Sequence, residues 1–258
     1  MAGLIVSFST VSTPVSAHET FLLPAKNAWS VGNQIEIRMA SSLSFPVLTW
    51  GITQDRISKT VIRLGGVDVT TFSLNNNDAF LKVSFMAQHS GSGVVAMSTK
   101  PRSGVIGPEN TEGYLDEIGA APSVREAFRA LPGEAALHRS YAKHTKTFIC
   151  VEDCSASRSA NTTPVGQELE FIADAGATNV FQLLRAGNPL SHHEVKVRTS
   201  DKKLHKFATD GNGELTIGGE ISGVIMLTAV AITLPEQADG LYHSDYATLV
   251  LDIARAQQ

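Results

Sequence analysis

Cysteine is scarce. The 258 residues contain two, Cys150 and Cys154, which leaves room for one local bridge at most. Charge of one sign is also lacking. Lys and Arg number 21 against 25 Asp and Glu, a formal charge of −4, so no basic field is present to hold a phosphate backbone and nucleic acid is excluded as a partner. No apolar stretch approaches the ~20 residues that span a bilayer. The nucleophile elbow, the P-loop and the dinucleotide fingerprint are all missing, which removes the readiest enzyme classes. Finally, no Lys or Arg precedes Lys26.

That last absence bears on the N-terminus. Gly3 to Phe8 supply a short apolar middle, and Val15-Ser16-Ala17 supply the small-x-small end of a secretory leader. The basic start is missing. Either the true leader starts further upstream or the segment is a frayed N-terminal strand; we read residues 1–17 as a signal peptide and expect a periplasmic, secreted chain that begins at His18. In such a chain the default for Cys150 and Cys154 is a disulfide. A thiolate pair for copper(I) or zinc, or free thiols, are the alternatives.

What is present is mostly β. "VGNQIEIRM" at 31–39 alternates, with Ile35, Ile37 and Met39 on one face and Glu36 and Arg38 on the other. "SKTVIRLGGVDVTTFSL" continues the period and turns at Gly65-Gly66. "AFLKVSFMAQHSGSGVVAMSTK" reads as a hairpin turning at Ser90 to Gly93. The texture becomes helical from 108 to 146. Asn110 or Thr111 is placed to cap a first helix, and Pro122 with Ser123 to start a second whose Val124, Phe128 and Leu131 face the body. After the polar run around 155–163, six or seven short strands follow without helices. The expected architecture is mainly β. It has an N-terminal β domain at 18–154 with a helical insertion at about 110–140, and a C-terminal sandwich at 163–258, both Ig-like or transthyretin-like.

Several stretches, in this order, carry a family resemblance: "AHETFLLP" at 17–24, "VGNQIEIRM", "NTEGYLDEIG" at 110–119, "HRSYAKHTKTFICV" at 138–151, "FQLLRAGNPLSHHEVKV" at 181–197, "TDGNGELTI" at 209–217 and "YATLVLDI" at 246–253. The chain resembles the DUF4198 proteins, which include periplasmic components associated with nickel and cobalt uptake, the nickel-binding NikK-like group. Its second half is similar to transthyretin-like and carboxypeptidase-regulatory-like sandwiches. The resemblance implies an exported metal-binding protein, expected to carry Ni(II) or Co(II), with copper or zinc as alternatives, and to pass the ion to a membrane transporter; our own first reading adds that it has no catalytic turnover. Where members carry a histidine-bearing polar cluster after the first strand, this chain reads "MASSLSFP".

His18 is the sharpest candidate ligand. As a free N-terminus it offers an α-amine and an imidazole from one residue, with ordinary pKa values near ~8 and ~6.5, so deprotonation for metal binding costs little at neutral pH. Nitrogen donors suit nickel, copper and zinc. Glu19 should point to the opposite face of a strand. His89 at the expected hairpin is a second candidate ligand, and His243 with Asp245, two apart on one face, is a half-site. His144 reads as an outward strand residue and His138 as a helix end. His192 and Glu194 read as a surface pair, with His193 turned inward. Two other readings stand beside the metal carrier. One is a β-sandwich binding module for protein or glycan without metal, and the other is a copper oxygenase that pairs His18 with a second histidine.

N-terminal sequencing of the exported protein is expected to return His-Glu-Thr-Phe; any other start separates the α-amine from the His18 ring and removes the chelate.

Overall fold

A computed structural model of the protein describes residues 18–154, 159–237 and 240–253. The expected leader at 1–17 lies outside the described residues. Strand accounts for 51% and helix for 11%, so the chain is mainly β as its patterning implies.

In chain order the first elements are β1 (Glu19–Pro24), β2 (Gln34–Ser42), β3 (Trp50–Gly51), β4 (Ile57–Leu64), β5 (Val67–Asp68), β6 (Ser73–Asn76) and β7 (Leu81–Met86). Next come β8 (Gly91–Thr99), β9 (Arg102–Ile106), α1 (Pro108–Glu117), α2 (Pro122–Arg129), β10 (Leu137–Val151) and the short α3 (Ser159–Thr162). The second half holds β11 (Leu169–Ala173), β12 (Val180–Arg185), β13 (Asn188–Pro189), β14 (Glu194–Thr199), β15 (Leu204–Ala208), β16 (Glu214–Thr216), β17 (Gly223–Thr233) and β18 (Tyr242–Ile253).

These strands form three sheets. A central nine-stranded sheet runs β15-β14-β17-β18-β10-β8-β4-β5, with β9 beside β10. A five-stranded sheet, β1-β2-β7-β6 with β3, covers one face of its N-terminal part. Leu22, Ile35, Ile37 and Met39 there meet Ile62, Leu64, Val95, Met97 and Ile149. A four-stranded sheet of β11, β12, β13 and β16 covers the opposite face of its C-terminal part. Phe171, Phe181 and Leu183 there pack on Val195, Val197, Ile225, Leu227 and Leu249. Each core follows from period-2 alternation, and each fully buried large aliphatic or Phe side chain contributes roughly 1.5–3 kcal/mol. The helices pack elsewhere. Tyr114, Leu115, Val124 and Phe128 cover Leu137, Val230 and Tyr242 at one end of the central sheet.

The strand β10 joins the halves. It pairs in parallel with β18, Arg139 opposite Tyr242 through Thr147 opposite Val250, and antiparallel with β8 further along. Its Lys146 side chain crosses to the second half. The ammonium donates to Glu170 and to the Phe171 carbonyl at 2.8 Å, and Glu170 also accepts from Val165 N and Gly166 N at 3.0 Å each. Both side chains are buried, and burial lowers the Lys146 pKa against the opposing pull of Glu170.

Four local expectations are corrected. First, β7 and β8 do not form a hairpin: β7 pairs with β2 and β6, and β8 with β4 and β10. Ser92 and Gly93 lie inside β8, where a Cβ on Gly93 would stand 2.9 Å from both the Arg63 carbonyl and Ile149 Cγ1, so the glycine permits close sheet packing rather than a turn. Second, the first helix is capped by Gly107 rather than by Asn110 or Thr111, because Pro108 occupies its first position, where a missing N–H is harmless; the second starts at Pro122 as expected. Third, helix ends at Arg129, and residues 137–146 are strand. His138 therefore lies exposed on β10 rather than at a helix end. Fourth, His144 is buried, because β10 is covered on both faces and has no outward side at that position. Cys150 and Cys154 form a disulfide, with Cα atoms 5.7 Å apart.

Glu170→Gln leaves the Lys146 ammonium buried without a counter-charge. Urea denaturation at pH 7 is expected to show a loss of about 3–5 kcal/mol. The double variant Lys146→Met with Glu170→Gln removes the unpaired charge and keeps an acceptor for one of Val165 N–H and Gly166 N–H, so it is expected to recover part of that loss.

Candidate functional site

Alternation along β10 builds the site. Arg139, Tyr141 and Lys143 point to the face on which β1 and α1 sit, and Tyr246 of β18 stands in register with Lys143. With His18, Trp50, Arg56 and Arg102 they line a cavity of about 990 Å³. Its floor is β10 and β18, and its walls are β1 with β3 on one side and β9 with the start of α1 on the other. Three of the chain's four tyrosines, Tyr114, Tyr141 and Tyr246, lie here.

Arg139 is held between two rings, its guanidinium 4.7 Å from the Tyr114 centroid and 4.5 Å from that of Tyr141. One terminal nitrogen donates to the Tyr114 hydroxyl at 3.3 Å. Its Nε is buried and has no hydrogen-bond partner among the described residues. The Tyr114 and Tyr246 hydroxyls are 2.6 Å apart. Burial, reinforced by Tyr114, pushes the Tyr246 phenol well above its ordinary pKa. Lys143 Nζ donates to the His18 carbonyl at 2.6 Å and to the Thr20 hydroxyl at 2.9 Å. Burial first, and then the Arg139 charge, lower its pKa to about 8. The His18 ring is exposed at the opening and meets Trp50 edge-on, centroids 4.5 Å apart.

The electrostatics are one-sided. Arg56, Arg102, Arg139 and Lys143 line the cavity, and no Asp or Glu does. Among the described residues none of the four stands within salt-bridge distance of a carboxylate. A second, small crevice of about 40 Å³ shares His18 and Tyr246 with the first but is acidic, bordered by Glu19, Glu117 and Glu194. Cations attend it as well: Arg198 pairs with Glu19 at 2.7 Å, and Lys196 lies 3.9 Å from Glu194. Burial raises the Glu19 pKa in spite of Arg198.

The family described as "Domain of unknown function (DUF4198)" matches residues 15–233. The chain belongs to the DUF4198 family. No curated protein matches this DUF4198 chain. Among solved structures it is similar to the mouse nectin-like molecule 4 ectodomain (Ig1–Ig3) at 12% identity. That match covers 91% of this chain and 64% of that one, with a TM-score of 0.19. It is also similar to the titin domains z1z2 in complex with telethonin, at 11% identity, 92% and 98% coverage, and a TM-score of 0.19. The chain thus spans less than two thirds of the nectin-like ectodomain.

The four expected metal ligands lie in three places. His18 is at the cavity opening, and both it and Glu19 border the crevice, because His18 precedes the first strand residue and escapes the alternation. His89 is exposed in the connection between β7 and β8, beside Gly65, and borders neither cavity. His243 and Asp245 stay together at 3.3 Å but point to the opposite face of the sheet from Tyr246. There Asp245 also meets His144 Nε2 at 3.0 Å. Ser140 and Ser98 bond the outer nitrogens of His243 and His144, closing a buried polar chain. Among the described residues no three His, Cys, Asp or Glu side chains are placed to hold a metal ion. The cavity residues escaped sequence reading because "RSYAK" was taken as a helix tail. Read with a strand's period, Arg139-x-Tyr141-x-Lys143 sets two cations and a ring on one face.

Lys143 is expected to titrate near pH 8 by NMR of its side chain. Of the charges and polar groups around it, Arg139, Arg102 and Glu19 set the midpoint, with the Tyr246 ring and the His18 carbonyl adjacent. Arg139→Gln is expected to move that midpoint up and Glu19→Gln to move it down. A midpoint above 10 in the wild type would show the amine to be hydrated.

Proposed function

We propose that this DUF4198 protein is an exported, non-catalytic binding module that takes a small organic ligand in the cavity bordered by His18. One observation carries the reading. The cavity is of ligand size and joins aromatic walls to a few convergent polar groups at the junction of packed sheets. Trp50 adds a large, 45% exposed ring at its edge, a surface that a ligand would cover. The leader-like N-terminus and the Cys150–Cys154 disulfide support export.

The metal carrier is the second reading, favoured by the place of His18 beside Glu19, Glu117 and Glu194 in the small crevice. Cleavage after Ala17 would add the α-amine to the imidazole, and Ni(II) or Co(II) held there would pass to a membrane transporter. Two features weigh against it. The three carboxylates already have Lys196 and Arg198 among them, and the larger cavity presents four cations to an arriving cation. The copper-oxygenase reading lacks a second imidazole, since neither cavity is bordered by a histidine other than His18 among the described residues.

Thermal denaturation tests these readings together. Against a panel of sugars, amino acids and organic acids, a true ligand at 100 times its Kd stabilises by about 2.7 kcal/mol, a Tm rise on the order of 5–10 °C for a chain of this size. Trp50→Ala is expected to abolish most of the shift. A panel without effect overturns the module. In the same melts Ni(II), Cu(II) and Zn(II) are compared on chains beginning at His18 and at an added preceding residue. Equal shifts remove the N-terminal chelate.

A further inference from the structure

The cavity's charge identifies its ligand class. We infer that the site binds an acidic oligosaccharide, a short chain of sugar rings carrying carboxylates, and this rests on the reading of the cavity as a ligand site. The cations are spread over three segments: Arg56 on the turn before β4, Arg102 on β9, and Arg139 and Lys143 on β10, each two residues from Tyr141. Four positive charges with no lining carboxylate repel one another, and the hydrogen bonds that Arg56, Arg139 and Lys143 make go to carbonyls and hydroxyls rather than to a counter-charge. Arg139 shows this most directly, since its buried Nε has no partner among the described residues. The acids nearby lie outside the lining, and Glu19 and Asp55 act on Lys143 and Arg56 only from there. Glu19 is paired with Arg198, and the Glu109 carboxylate folds over Gly107 at the rim, where Asn110 Nδ2 donates to it at 2.8 Å. A ligand that brings carboxylates supplies what the fold withholds, through charge-assisted hydrogen bonds to guanidinium groups.

Charge alone does not distinguish a small acid from a chain of sugars, but size and surface do. One small acid engages one or two of the cations and leaves most of about 990 Å³ empty. A chain with one carboxylate per ring places several charges apart, as the cations are placed apart. The apolar face of a sugar ring also fits the exposed indole of Trp50. The tyrosine hydroxyls and Asn110 offer hydrogen bonds to ring hydroxyls.

The experiment compares trigalacturonate with its fully methyl-esterified counterpart, which keeps the rings and removes the charge. Trp50 fluorescence reports binding, because Trp29 is buried in the N-terminal core; calorimetry gives the affinity. Trigalacturonate is expected to bind at least about tenfold more tightly than the ester, with affinity falling as salt rises. Arg102→Gln, at an exposed position, is expected to weaken the acid roughly five- to tenfold, to flatten the salt dependence and to leave Tm unchanged. Equal binding of acid and ester overturns the charge assignment while the cavity remains a ligand site. Failure of both, with another metabolite still shifting the melt, overturns the oligosaccharide and spares the module. Failure of every compound overturns both.

Discussion

Burial of β10 on both faces is the constraint from which the rest of the architecture follows. Beyond its exposed start at His138, β10 is paired on both edges and overlaid by other elements on both faces, so most of its alternate positions belong to some interior. Ile149 and Val151 enter the N-terminal core, and Phe148 packs against the C-terminal one. Where the covering sheet stops short, the same alternation leaves Arg139, Tyr141 and Lys143 facing a cavity instead of a core. On the reverse side it sends Ser140 and His144 into the polar chain with His243 and Asp245. Lys146 and Glu170 fasten the arrangement, because a buried ammonium has to be met by an acid and thereby fixes how β11 sits on the central sheet.

Polar groups inside this protein are managed in two different ways. The His144–Asp245–His243 chain is closed at both ends by serine hydroxyls and satisfies itself, which accounts for the burial of His144 and Asp245, while His243 at its outer end is partly exposed. The cavity is the reverse case. Its cations are supported by rings and carbonyls and left without counter-charges. Tyr114 and Tyr141 pin the Arg139 guanidinium without neutralising it. The contrast separates polar residues that satisfy one another from those that do not, and it is why the proposed ligand site centres on Arg139 and Lys143 rather than on the histidines.

Strand periodicity made the β class and the individual strands legible, since alternation is a local property: Ile35, Ile37 and Met39 are buried, as their spacing requires. The helices were legible for the same reason, through Val124 and Phe128. What was not legible was pairing. Nothing in "MAQHSGSG" distinguishes a turn within one sheet from a crossing between two, because the difference lies in which remote strand β8 meets. His144 failed for a related reason: its neighbours in sequence are polar, but its neighbours in space are Ser98 and Asp245. The cavity draws on residues from His18 to Tyr246, so no window of sequence contains it. Only its β10 stripe had a local signature. His18, singled out for its nitrogens, does stand at the opening, but in cationic company that its own sequence neighbourhood does not disclose.

The parallel pairing of β10 with β18 has a consequence for how this molecule comes into being. The floor of the cavity has one plank from the middle of the chain and one from its last strand, about a hundred residues later. During synthesis the walls of β1, β3 and β9 exist long before the floor is whole. A nascent chain halted in the segment after Val151 would carry Arg139 and Lys143 on an unpaired edge, without Tyr246 to brace them. The proposed ligand site is therefore complete only once β18 has been made, and no fragment from the N-terminal half alone inherits it.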